Sequence, residues 1–191
     1  MLALAVADQI AAELVAELSP YTANIAVAGS IRRRRPEVRD IEIVAVPADP
    51  ISRLDLFGNA TVVSTTLHQL LEVLRSQGVI RPDAEVPRWG QKYRRFSYRG
   101  ATVDLFIVEQ GNWGYQLVLR TGPAAWNVGL VTPASRGGLL PPGVTAAGGY
   151  LRRGGQPLQT PTEQDVFELL GLPWVAPEER SGELPARVHA G

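Results

Sequence analysis

Apolar residues recur at helical spacing over residues 3–18, where Val6, Ile10, Leu14, Val15 and Leu18 fall on one face, and Ser19-Pro20 stops the pattern. A short apolar run over residues 24–28 predicts a buried strand, turned by Gly29-Ser30. The arginines that follow predict a short helix capped by Ser30 and ended by Pro36. Residues 39–47 then alternate as a β-branched strand, with Ile41, Ile43 and Ala45 directed to a core. Residues 64–77 predict a second amphipathic helix carrying Leu67, Leu70, Leu71 and Leu74 on one face, closed by Gly78. Residues 91–98 and 101–108 predict a β-hairpin that turns at Arg99-Gly100.

The pattern changes after residue 110. Two short helices are predicted, Trp113 to Arg120 and Ala124 to Val131, around Thr121-Gly122-Pro123. Residues 136–158 are rich in Gly and Pro and predict short strands or a loop. Thr162-Glu163-Gln164-Asp165 opens a last helix as a capping-box variant, and Gly171 ends it. Pro173, Pro177 and a polar tail predict an extended, loose C-terminus.

A chain of 191 residues is enough for one domain, or for a core domain with a small appendage. The absence of cysteine excludes a disulfide framework and a zinc–thiolate site. No apolar run reaches bilayer length, and Asp8, Glu13 and Glu17 mark the first twenty residues as a helix rather than a leader, so a cytoplasmic protein, cellular or virus-encoded, is expected. The formal net charge is zero, which argues against a uniformly basic nucleic-acid binder. The basic residues are nevertheless clustered. Arg32, Arg33, Arg34, Arg35 and Arg39 form one window; Arg88, Lys92, Arg94, Arg95 and Arg99 form another that contains no acid. Two such patches suit phosphates on an otherwise neutral protein, and Lys92, Arg94 and Arg95 are candidates to grip a nucleic-acid backbone.

The acids carry the chemistry. Asp40 and Glu42 stand two residues apart on the predicted strand, so their side chains share a face. Neighbouring carboxylates repel unless a cation or a proton sits between them. Asp104 lies within the second strand of the hairpin, where an isolated acid usually marks an exposed edge. Taken with the first pair it offers a third ligand, and three carboxylates can hold two Mg²⁺ ions, or Mn²⁺, roughly 3.5–4 Å apart. A glycine turn, arginines and such a set point to a metal-bound triphosphate.

Gly29-Ser30 followed by the acid-x-acid strand resembles the signature of the nucleotidyltransferase superfamily. Gly29-Ser30-Ile31-Arg32-Arg33, the helix segment Leu67-His68-Gln69, Thr121-Gly122 with Asn127, and Pro161 to Phe167 with Leu170-Gly171-Leu172-Pro173 and Pro177 to Arg180 together resemble family X DNA polymerases, the polymerase beta group. The likeness spreads over residues 1–181. It implies an α+β fold, with a nucleotidyltransferase palm of mixed sheet and flanking helices over 1–110, a small thumb over 111–181 and a flexible tail over 182–191.

The resemblance implies roles residue by residue. Gly29, Ser30 and Arg33 would hold the incoming triphosphate, with Thr121, Gly122 and Asn127 at the nucleotide. Asp40, Glu42 and Asp104 would be the metal ligands and catalytic residues. The expected activity is a minimal DNA polymerase, a monomer away from membranes, that fills gaps or repairs primer–template DNA with nucleoside triphosphates. The chain departs from the family's pattern at Glu42, where aspartate is usual, and at Arg39, where glycine is common. Leu119-Arg120 replaces an aromatic pair that discriminates the sugar, and Val131 stands where polymerase beta has an arginine on the template strand. These departures keep two alternatives open: a template-independent terminal or RNA-directed nucleotidyltransferase, and an inactive nucleic-acid-binding module. An amino-terminal lyase domain and a downstream nuclease module are not expected. Trp89, Trp113 and Trp174 are expected to pack, and Trp126, beside Asn127, is a weaker candidate for the nucleotide pocket. His68 and His189 are expected to be structural or solvated.

Overall fold

A computed structural model describes residues 1–54, 60–83 and 88–185, with side chains described outside 50–63. In chain order the elements are β1 (Leu2–Ala3), α1 (Leu4–Leu18), β2 (Thr22–Val27), α2 (Gly29–Arg32), β3 (Glu37–Val38), β4 (Ile41–Pro47), β5 (Pro50–Leu54), β6 (Ala60–Thr65), α3 (Thr66–Ser76), β7 (Ile80–Pro82), β8 (Tyr93–Tyr98) and β9 (Ala101–Ile107). They continue with α4 (Trp113–Thr121), α5 (Ala124–Gly129), β10 (Val144–Ala147), β11 (Tyr150–Arg153), β12 (Gln156–Pro157) and α6 (Glu163–Leu170). The fold is α+β with a mixed sheet. The chain divides into two compact units, residues 1–27 with 36–107, and residues 28–35 with 108–191. Sequence order alone runs the first division unbroken to residue 110; the contacts of 28–35 lie instead with the second unit.

In the first unit, five strands are ordered β2-β4-β9-β8-β7. β4 and β9 are parallel, and every other neighbouring pair in this sheet is antiparallel. Ile41, Ile43 and Ala45 of β4 and Val103 and Leu105 of β9 are fully buried. Ala7, Ala11, Leu14 and Leu18 bury one stripe of α1, and Leu67, Leu71 and Leu74 bury one stripe of α3. β9 is therefore an interior strand, and the edge reading of Asp104 is wrong for a plain reason. A parallel neighbour, β4, covers the side of β9 that a lone hairpin would leave open. The hairpin turn falls at Arg99 (φ 48°) and Gly100 (φ 79°), the paired left-handed geometry that matches strand twist.

His68 shows how α3 is anchored. Thr65 caps α3 by accepting from the His68 amide at 3.1 Å. The imidazole lies 2.7 Å from the Thr65 hydroxyl through Nδ1 and 2.9 Å from the Gln91 carbonyl through Nε2. A carbonyl only accepts, so Nε2 carries the proton and Nδ1 accepts from Thr65. Burial lowers the His68 pKa below its ordinary 6.5; the Arg94 charge adds to this, while the Gln91 carbonyl and Glu72 oppose it. The unfolded chain thus takes up this proton first, so the stabilisation is complete above about pH 6.5 and is lost as pH falls through the lower folded value. Between pH 7.5 and 5.5 the melting temperature of the wild-type chain is expected to fall more steeply than that of His68→Gln; parallel slopes in thermal melts would refute it.

In the second unit, α4, α5 and α6 pack with the antiparallel sheet β10-β11-β12. Tyr115, Trp126, Leu130, Leu151, Val166 and Phe167 lie at the centre of its core. Burial pushes the Tyr115 hydroxyl up to about 12, and it donates to the Leu130 carbonyl at 3.2 Å. Gly114 sits so close to Thr162 that an added Cβ would overlap the Thr162 carbonyl, which makes glycine obligatory where α4 meets the start of α6. The Thr162–Asp165 capping box is formed, and Gly171 ends α6 in the left-handed region.

The C-terminal segment is not loose through its described part. Arg180 is fully buried, the Trp126 indole N–H donates to the Glu183 carbonyl at 3.1 Å, and Leu184 packs on the core. Residues 186–191, with His189, lie outside the described residues. Among the described residues no helix is long and apolar enough to cross a membrane.

Candidate active site

Asp40 sits one residue before β4, and Glu42 lies within that strand. Across the parallel β4–β9 pair Glu42 is the in-register partner of Asp104, and across the antiparallel β9–β8 pair Asp104 is the partner of Arg95. In-register partners share a face of the sheet. Arg95, Asp104 and Glu42 therefore stand in a row across three strands: one cation, then two anions. Arg95 Nη1 donates to both Asp104 oxygens, at 3.0 and 2.9 Å. The same guanidinium lies 3.8 Å from Asp40 through Nη2 and 3.6 Å from Asp83 through Nε. The Tyr93 hydroxyl donates to Asp104 Oδ1 at 2.5 Å, and its ring stacks on Phe106 at 5.0 Å. Asp104 is only 7% exposed, so these bonds satisfy a carboxylate that water barely reaches.

The donor chemistry fits a hard divalent cation: three carboxylates, two of them in register on neighbouring strands. Their present partners are another matter. Among the described residues no group of three acidic or histidine side chains is gathered to hold a metal ion; the positive charge beside Asp104 is Arg95, and Asp40 lies between Arg95 at 3.8 Å and the exposed Arg39 at 3.6 Å.

The candidate nucleotide residues of the second unit form a separate group. Gly29 is buried, with φ 62°, and opens α2. Ser30 does not cap that helix; it lies inside it, and the cap position is Ala28, which gives no side-chain bond. Arg33 follows α2 and donates through Nη1 to the Thr121 carbonyl. A Cβ on Gly122 would lie 3.0 Å from Arg33 Nη1 and 3.6 Å from Asn127 Oδ1, and the Gly122–Pro123 peptide is cis. The structure thus brings Arg33 together with Thr121, Gly122 and Asn127, from two segments nearly ninety residues apart in the chain. Asn127 Oδ1 is buried with no hydrogen-bond partner among the described residues, so an acceptor is left open there.

The anchor of this group was not anticipated from the sequence. Arg32 makes a two-point pair with Glu163, at 2.9 and 2.5 Å, and donates to Thr121 Oγ1 at 2.9 Å. Glu163 also accepts from buried Arg180 at 3.2 Å. This triad ties α2 to the start of α6 and the C-terminal segment. Residue types alone give no signal of a partnership spanning more than a hundred positions.

Of the candidate backbone-gripping residues, Lys92 is exposed at the approach to β8. Arg94 is a correction: it is only 4% exposed, lies 4.4 Å above the Trp89 ring and donates to Glu72 at 3.0 Å. The Trp89 indole N–H donates to the same Glu72 oxygen at 2.7 Å. Strand alternation turns Arg94 inward, where cation–π contact and an ion pair replace water. Arg95, on the opposite face, is engaged with the carboxylates. Trp126 is a core residue, 2% exposed and in ring contact with Phe167, rather than part of a nucleotide pocket.

Residues 117–181 match the family model of the DNA polymerase beta thumb. The chain is family X polymerase-like. It is also 27% identical over 175 residues to DNA polymerase lambda of Rattus norvegicus, an alignment covering 80% of this chain. The chain spans 28% of the length of that relative.

Proposed function

We propose that the first unit is a nucleotidyltransferase palm and that the chain adds a nucleotide to a primer 3′-hydroxyl in primer–template or gapped DNA, releasing pyrophosphate. The observation that carries this reading is the in-register placement of Glu42 and Asp104 on parallel strands, with Asp40 at the entry to the first of them. Mg²⁺ or Mn²⁺, held by Asp40, Glu42 and Asp104, would neutralise the triphosphate and the departing pyrophosphate. Asp104, on β9, is assigned to the primer terminus. In the second unit the Gly29 amide, the Ser30 hydroxyl and the Arg33 guanidinium bind phosphate oxygens. Asn127 meets the edge of the incoming base, which supplies its Oδ1 with the missing donor.

Extension of a gapped substrate with each nucleoside triphosphate in turn, beside a single-stranded primer, tests the proposal. Incorporation restricted to the nucleotide complementary to the template is expected. Incorporation indifferent to the template would favour a terminal transferase, the reading that exposed Val131 and the Leu119-Arg120 pair favour. No incorporation of any nucleotide, with DNA binding retained, would favour the inactive binding module.

A further inference from the structure

The row Arg95–Asp104–Glu42 sets a problem that solvent relieves only in part, because Asp104 at its centre is buried while Arg95 and Glu42 are half-buried. Like charges placed directly opposite across a strand pair destabilise it, and Glu42 and Asp104 are such a pair. The interior position of β9 leaves Asp104 little water to spread its charge. The geometry points to Arg95 as a built-in counter-cation for the carboxylate cluster, one that competes with a divalent metal for Asp104 and Asp40. This inference rests on the reading of those carboxylates as metal ligands.

Three features support it. The guanidinium meets Asp104 at hydrogen-bond distance and stands within 4 Å of Asp40, so one cation serves two of the three proposed ligands. Arginine stays charged at any working pH, so it cannot leave by losing a proton; it leaves only by exchanging partners. An exchange partner is at hand: Asp83 already lies 3.6 Å from Arg95 Nε and is half-exposed, so a guanidinium that yields Asp104 to a metal keeps a carboxylate beside it. Arg95 thus keeps the strands paired when no metal is bound, and it lowers the affinity with which the cluster takes one up. It is a positioning residue, acting through the carboxylates.

Direct titration of the full chain with Mn²⁺, followed by the EPR signal of the free ion, tests this without reference to turnover. Arg95→Gln is expected to bind Mn²⁺ at least about tenfold more tightly than the wild-type chain, and Arg95→Lys, which keeps the charge, to stay within about threefold of it. Thermal melts give a second readout. Arg95→Gln is expected to melt lower than the wild-type chain without metal and to gain more from added Mn²⁺. Asp104→Asn separates the two layers of the argument. If Asp104→Asn weakens Mn²⁺ binding but Arg95→Gln binds no more tightly than the wild-type chain, the counter-cation role is overturned and the metal-site reading stands. If Mn²⁺ binds neither chain, or binds without regard to Asp104→Asn, both are overturned.

Discussion

Glu163→Gln is expected to destabilise the second unit by about 3–5 kcal/mol, the cost of leaving a buried charge unpaired. Glu163 is the only anion bonded to both Arg32 and Arg180 among the described contacts, and Arg180 is fully buried. The Arg180 guanidinium lies 5.4–5.6 Å from the rings of Trp126, Phe167 and Trp174 and donates through Nε to the Val175 carbonyl at 3.2 Å. Burial lowers its pKa and Glu163 opposes that shift, yet an arginine cannot shed its proton to escape. A glutamine keeps the shape and one acceptor but removes the charge that two guanidinium groups share. Urea denaturation should show the loss directly, and thermal melts should show a melting temperature lower by more than about 10 °C. The double variant Glu163→Leu with Arg180→Leu should lose less than the sum of the two single variants, because it leaves no unpaired charge at the buried position. A loss below about 1 kcal/mol for Glu163→Gln would show that the triad is not a buried ion network. On the proposed reading the consequence reaches function, because Arg32 holds α2, and α2 leads to the Arg33 side chain beside Thr121 and Gly122.

Local physics made much of this chain legible from its residues. Helical spacing of Leu67, Leu71 and Leu74 gave α3, and the Thr162–Asp165 box with Gly171 gave α6 to within a residue at each end. What stayed hidden depends on partners far along the chain. Nothing near Asp104 says that β4 will lie parallel beside β9, so the strand reads as an edge. Nothing near Pro173 or Pro177 says that Arg180 will find Glu163, so the segment reads as loose. One long-range fact was within reach and was missed. A two-residue turn at Arg99-Gly100 fixes the hairpin register, and that register places Arg95 opposite Asp104. The same alternation separates Arg94 from Arg95, so two adjacent arginines with one composition take opposite fates: one inside against Trp89, one on the carboxylates.

On the proposed reading, Asp104→Asn is expected to lower nucleotide incorporation by at least roughly a thousandfold, about 4 kcal/mol of transition-state stabilisation, while leaving the fold in place. The substitution is nearly isosteric. The Tyr93 hydroxyl can still donate to the remaining carbonyl oxygen, and Tyr93 still stacks on Phe106. Arg95 loses one charged partner but keeps Asp40 and Asp83 within 4 Å, and the like-charge opposition with Glu42 disappears. These changes offset one another, so the melting temperature should move by only a few degrees. Activity has no such offset, because a neutral amide cannot hold the divalent cation that would neutralise the triphosphate as a carboxylate would. Single-turnover incorporation beside thermal melts separates the two effects. Lost incorporation with a retained melt places Asp104 in the chemistry; a thousandfold loss matched by an unfolded chain assigns it to the sheet; and unchanged incorporation would remove Asp104 from the active site and the palm reading with it.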